Sequence, residues 1–264
     1  MTYREVEAAL LVRSDTTENV LRRISELPAF PMFHLGPAEK REIRDIYFDT
    51  PDRSLQKARL ALRLRDADGE ELVTLKWRTR RTDAGVVERE ELEDPWSPKM
   101  WEEILKELRR RGGEVGHPHD LQERASARAT IEWHGLEVVQ ERRNSRRARA
   151  MVRHHDEKGR VAAEMDIDSV TYRFSGGDVR IGEVEIEAAE DEEDSVGCVK
   201  SAADFLVAMF TPHLVWWRNG KLATGKAIEH LFAKKKRAEF LGKDGRLTPA
   251  GVDSLGEALA TGEF

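Results

Sequence analysis

Along most of this chain apolar and polar residues alternate with a period of two, as in strands that bury one face. Val6, Ala8, Leu10 and Val12 share one side of the first such segment, with Glu5 and Glu7 on the other. Leu60, Leu62 and Leu64 oppose Arg63 and Arg65; Val73, Leu75 and Trp77 oppose Thr74, Lys76 and Arg78. Arg89, Glu91 and Glu93 line up on one side of the next segment. Ala163, Met165 and Ile167 oppose Glu164, Asp166 and Asp168, and beyond a Gly176-Gly177 turn Val184 and Ile186 oppose Glu183, Glu185 and Glu187. At least six strands are predicted.

A helical period replaces the alternation in several places. Residues 17–27 carry Val20, Leu21 and Ile24 as one stripe. A second helix has good boundary chemistry: Ser97 as N-cap, Pro98 at the first position, an apolar face of Trp101, Ile104, Leu105 and Leu108, and Gly112-Gly113 as the stop. Further helices are predicted over 195–210 and 225–241. From Lys243 onward a short tail helix, capped by Thr248 with Pro249 at its first position, is expected to be peripheral. Strands running in pairs between helices predict an α+β architecture with an antiparallel sheet. Residues 112–129, with His117-Pro118-His119, divide two strand-rich halves as a linker or a long loop. The domain reading is therefore 1–242 plus a tail of 243–264.

Composition narrows the class. The chain has 264 residues, 36% charged and 39% hydrophobic, which suits a soluble globular protein and excludes a membrane-embedded or collagen-like one. With 44 basic against 50 acidic residues the net charge is -6, so no bulk positive field recruits nucleic acid, and neither nucleic acid nor a membrane is an expected partner. The single cysteine, Cys198, permits neither an intramolecular disulfide nor a thiolate zinc cluster. With no apolar run near 18 residues and with Glu5 and Glu7 where a signal peptide would need apolar residues, a cytoplasmic location is expected. The sequence does not specify an oligomeric state.

A charged strand face usually looks at water. Here the charged faces are also segregated by sign: acidic in Glu5/Glu7, Glu91/Glu93, Glu164/Asp166/Asp168 and Glu183/Glu185/Glu187, basic in Arg63/Arg65 and Lys76/Arg78. Carboxylates at i and i+2 lie about 7 Å apart on one face, suited to sharing a hard divalent cation. Arg and Lys pairs supply donors for phosphate oxygens. Were the sheet to close with these faces inward, its lumen would be a wet or filled polar tunnel, because unpaired charge in a dry one is costly.

Several segments in order resemble one family: Glu5-x-Glu7, YFDTPD over 47–52, ALRLR over 61–65, TLKWR over 74–78, REELE over 89–93, the IDSV segment with Asp168, GEVEIE over 182–187 and GKLATG over 220–225. Together they resemble the CYTH domains, the triphosphate tunnel metalloenzymes, which include thiamine triphosphatases, inorganic triphosphatases and class IV adenylate cyclases. The resemblance spans residues 2 to 232 and implies an eight-stranded antiparallel β-barrel, a tunnel with flanking helices. It implies Mg2+ or Mn2+ held by Glu5, Glu7, Glu91, Glu93, Asp168, Glu185 and Glu187, and a triphosphate gripped by Arg63, Arg65, Lys76, Arg78, Arg143 and Lys221. Glu5, Glu7, Lys76 and Arg143 are the implied catalytic set.

The match has gaps. The family's E-x-E-x-K opening has Ala9 in its last position, with Arg13 further along the same nominal face as a partial substitute. Its K-x-R pattern falls on Glu141-Arg142-Arg143, and Thr224 stands where an arginine is common. The function implied is metal-dependent hydrolysis of the terminal phosphate of an organic or inorganic triphosphate. The missing cations motivate an alternative, a module that binds nucleotide or polyphosphate without turnover; a nucleotide cyclase is the third reading. The Trp216-Trp217 pair reads as packing, and His154-His155, His117, His119 and the basic run 234–237 read as solvated surface.

Overall fold

The computed structural model describes residues 2–82, 85–116, 126–189, 192–234 and 237–262. Its centre is a ring of eight antiparallel strands: β1 (Thr2–Val12), β3 (Glu39–Asp49), β4 (Ala61–Ala67), β5 (Glu70–Arg81), β6 (Val87–Pro95), β7 (Glu137–Arg153), β8 (Val161–Arg173) and β9 (Val179–Ala188). In space they run β1-β6-β5-β4-β3-β7-β8-β9, and β9 pairs back onto β1 through Glu7↔Glu187 to Leu11↔Glu183, closing the barrel. Two short strands are appended: β2 (Phe33–Leu35) on β7, and β10 (Leu214–Trp217) beside β6 along one edge of β1. Closure leaves the ring without free edges.

The apolar faces point outward beneath helices, and the charged faces point inward. α1 (Thr17–Ser25) and α5 (Ser195–Phe210) cover Val6, Ala8, Leu10, Met165, Ile167, Val184 and Ile186. α2 (Ser54–Lys57), α3 (Pro98–Arg110) and α4 (Ala127–Trp133) cover Leu62, Leu64, Val73, Leu75 and Trp77. Each fully buried Leu or Ile in these shells is worth about 1.5–3 kcal/mol, the favourable term that offsets a lumen full of charge. The predicted helix starts hold: Ser97 Oγ accepts from Met100 N at 3.1 Å, and Thr248 Oγ1 from Gly251 N at 3.1 Å.

Two expectations need correction. The helix predicted over 225–241 is α6 (Lys221–Lys234), which begins four residues and ends seven residues earlier, with a 3-10 turn at Arg237–Glu239 beyond it. The tail helix α7 (Pro249–Thr261) is not peripheral: Val252 and Leu255 join a third cluster with Ile228 and Leu231 of α6 and with Ala9, Leu11, Tyr172, Val179 and Ile181 of the barrel. This cluster plugs part of one barrel end. Positions 117, 119, 235 and 236 lie outside the described residues. Among the described residues no helix is long and apolar enough to cross a membrane.

Candidate functional site

Closure brings the alternating charges of distant strands into one lumen. On the strands β3, β4 and β7 a cluster forms around Asp45, which is fully buried. Arg65 Nε donates to it at 2.8 Å and Arg142 Nη2 at 2.5 Å, and Arg63 stands 3.9 Å away. Burial opposes ionisation of Asp45, but these guanidinium groups outweigh it and hold its carboxyl well below the usual range. Arg63 also pairs with Glu93 at 2.8 Å, and Thr74 donates its hydroxyl to the same carboxylate. Burial is again overcome, and Glu93 is held down at about 2.

The opposite wall, from β1, β6, β8 and β9, is richer in acid. Lys76 Nζ lies 3.0 Å from Glu5 and 2.6 Å from Glu91. Arg89 Nε lies 2.7 Å from Glu5, and its other end contacts Glu7. Arg146 bridges Asp166 and Asp168, the latter at 2.7 Å, with Glu185 3.6 Å away; Lys221, at the start of α6, pairs with Glu185. The named lumen acids are Glu5, Glu7, Asp45, Glu91, Glu93, Asp166, Asp168, Glu183, Glu185 and Glu187; the cations are Arg63, Arg65, Lys76, Arg89, Arg142, Arg146 and Lys221. Ten carboxyls against seven cations leave a surplus of acid. Its effect is local: burial first, and neighbouring carboxylates second, push Glu183 up to about 7 and Glu187 to about 8. Glu91 and Asp166 rise to about 7 mainly through burial, against the nearest cation.

A cavity of about 320 Å3 opens from this lumen at the barrel end beside α6, reaching Glu7, Arg63, Lys76, Arg89, Glu185 and Lys221. Thus Glu5, Glu7, Arg63, Arg65, Lys76, Glu91, Glu93, Asp168, Glu185, Glu187 and Lys221 converge on the interior. Ala9 sits between Glu185 of β9 and Trp217 of β10. Thr224 accepts a hydrogen bond from Trp217 Nε1 at 3.0 Å, and Trp217 is buried, so this tryptophan packs as the sequence predicts. A Cβ at Gly225 would displace the Gln140 amide, which lies against this turn of α6.

Other predicted positions do not reach the lumen. Arg143 is exposed on the outer face of β7, and Glu141 beside it on that face pairs with Arg44 at 3.1 Å and Arg173 at 3.5 Å. The inward residues of β7 are Gln140, Arg142, Asn144 and Arg146, so no inward lysine has been exchanged for Glu141. Arg78 is also outside: a bulge between Trp77 and Arg80, with Arg78 at φ 52°, swings it to Glu90 at 2.7 Å. Arg13 makes a bidentate pair with Asp253 of α7, at 2.7 and 2.6 Å, and contributes no charge at position 9. Asp45, Arg89, Arg142, Arg146, Asp166 and Glu183 are lumen residues that were not among the predicted site residues. Of these, Arg89, Asp166 and Glu183 carried a signal, since each shares a strand face with named acids.

Among the described residues no three His, Cys, Asp or Glu side chains are gathered closely enough to hold a metal ion, because guanidinium groups stand between the carboxylates. The donor chemistry nevertheless suits a hard divalent cation: oxygen ligands only, acid in surplus, and the buried Asp166 Oδ1 and Glu183 Oε2 without hydrogen-bond partners among the described residues.

A model of the CYTH domain matches residues 4–202. Among solved structures, a candidate adenylyl cyclase from Hippeastrum, described with a dominant triphosphatase activity, is similar at 18% identity over 84% of this chain and 95% of that one, with TM-score 0.50. A candidate adenylate cyclase from Bacillus halodurans matches at 18% identity over 84% and 96%, with TM-score 0.47. A protein from Pyrococcus horikoshii matches at 19% identity over 87% and 99%, with TM-score 0.45. No curated protein matches the chain.

Proposed function

Because the chain belongs to the CYTH domain family, we propose that its barrel binds a triphosphate end-on and hydrolyses the terminal phosphate with the help of a divalent cation. The observation that carries this reading is the split lumen: a wall of arginines and Lys76 faces a wall with surplus carboxylate, with an open cavity between them. Arg63, Arg65, Lys76 and Lys221 are suited to phosphate oxygens, and fixed cations of this kind stabilise charge that shifts during transfer. Glu5, Glu7, Asp166, Glu185 and Glu187 are the oxygen donors for Mg2+ or Mn2+. When bound, such an ion neutralises phosphate charge and lowers the pKa of a water. Arg89 and Arg146 now occupy the carboxylates, so ligand entry requires them to exchange partners, carboxylate for phosphate.

That occupancy is also the observation favouring a second reading, in which the tunnel binds triphosphate without turnover. Phosphate release from tripolyphosphate, thiamine triphosphate and ATP, with and without Mg2+ or Mn2+, separates the two. Metal-dependent release, lowered at least about 100-fold in Glu5→Gln/Glu7→Gln, is the expected outcome. Ligand-dependent thermal stabilisation without product supports the binding module instead. Pyrophosphate formed from ATP together with a cyclic nucleotide indicates a cyclase.

A further inference from the structure

Every named cation inside the lumen has a carboxylate partner, whereas four cations around the cavity mouth have none among the described residues. Arg59, Arg81, Arg218 and Lys226 all line the cavity. Among the described residues none of them forms an ion pair. Arg81 reaches only the Asn219 side-chain oxygen at 3.3 Å, and Lys226 only Gln56 Oε1 at 2.5 Å. Burial pushes the Lys226 ammonium down, against a weaker pull from Asp49. The acids on the cavity wall, Glu7 and Glu185, are taken by Arg89 and Lys221.

Two of these arginines are placed by unusual backbone. The bulge at Arg78 reverses the facing of β5 beyond it, so that Thr79 and Arg81 line the cavity. Arg59 ends α2 in the left-handed region, φ 57°. Its N–H donates to Gln56 O at 3.0 Å and Leu60 N–H to Leu55 O at 2.9 Å, the helix ending in which glycine is the usual residue at this position. A glycine would relieve roughly 1 kcal/mol of strain there; the chain carries an arginine. Between the charges, Leu60, Ala61, Leu222 and Ala223 give the cavity an apolar floor.

We propose that Arg59, Arg81, Arg218 and Lys226 form a subsite for a second acidic group, a phosphomonoester at the far end of the substrate's organic part, whose body lies on the apolar floor. The inference rests on the triphosphate reading above and narrows its substrate class. Several guanidinium forks and an ammonium match the charge and three oxygens of a phosphomonoester better than the single charge of a carboxylate.

The test is calorimetric binding of two non-hydrolysable ligands, the β,γ-methylene analogue of ATP and the same compound bearing a 3′-phosphate. The phosphorylated ligand is expected to bind about tenfold more tightly, with a preference that weakens as salt is added. In Arg81→Gln/Arg218→Gln the ratio falls to about two or less. Arg59→Gly also lowers the ratio while keeping or raising the melting temperature, which separates lost recognition from lost folding. Equal affinities in the native protein, or an undiminished ratio in the double variant, overturn the subsite while leaving the triphosphate reading intact. Binding of neither ligand overturns both.

Discussion

The two walls of the lumen use the same side-chain types for opposite ends. Around Asp45 three arginines converge on one carboxylate, Arg63 and Arg142 buried and Arg65 half-buried, so that cation outweighs acid there. Across the barrel, Glu91, Asp166, Glu183 and Glu187 stand among more carboxylates than cations; burial outweighs the pull of Lys76 on Glu91 and of Arg146 on Asp166, and the four carboxyls are pushed up to about 7–8. The first wall holds cation in excess of Asp45 and Glu93: Arg142 is locked on Asp45, and Arg63 and Arg65 are the guanidinium groups suited to phosphate oxygens. The second is complete only with protons or with added positive charge. Burial alone therefore does not distinguish a structural charge from a functional one; the local balance of partners does.

The sharpest way to break this comparison is Asp45→Asn. It leaves the fully buried Arg142 without its partner carboxylate, and a loss of about 3–5 kcal/mol in urea denaturation is expected. Glu187→Gln makes the same chemical change on the other wall. Burial and Glu5 already favour the protonated form there, so stability at neutral pH should move by less than about 1 kcal/mol while divalent-cation binding, measured by calorimetry, weakens. Comparable losses in the two variants would erase the distinction.

Titration sharpens the comparison next. The four acids of the second wall bind protons in the folded state up to about 7–8, above their unfolded values near 4, so the stability they contribute is present at low pH and is lost as pH rises through about 8. Asp45 runs the other way: its depressed value gives stability above the unfolded pKa near 4 that is lost as pH falls further. Thermal melts should show a decline from pH 6 to 8.5, and added Mg2+ should offset it more at the alkaline end. A melting temperature that rises steadily over that range would contradict the acid surplus. The smallest effects belong to Arg78→Gln and Arg143→Gln. Both side chains are exposed outside the barrel, so stability should change by no more than about 0.5 kcal/mol, with phosphate release unaltered.

The strand faces that were legible share one property, a single apolar side. On β1, β4 and β9 that side fixes which residues point inward, so Glu5, Glu7, Arg63, Arg65, Glu185 and Glu187 follow from alternation. β7 lacks this signal. From Glu141 to Arg147 both faces are polar, the alternation has no phase, and Arg143 reads as well as Arg142. The bulge at Arg78 is equally silent, since one extra residue in β5 is set by its register with β6.

The sequence by itself determined that there are strands with one charged face, where most helices begin, and which charges share a strand side, because these depend on periods of two and 3.6 and on local capping chemistry. Which acid meets which base was decided only by closure of the ring. Arg89 on Glu5 and Glu7, Arg142 on Asp45 and Arg146 between Asp166 and Asp168 are all cross-strand pairs, and their partners are fixed by the register of paired strands. The cluster of cations at the mouth is likewise a property of the assembled barrel: a bulge, a left-handed helix end and the entry to α6 bring them to one rim from segments far apart in the chain.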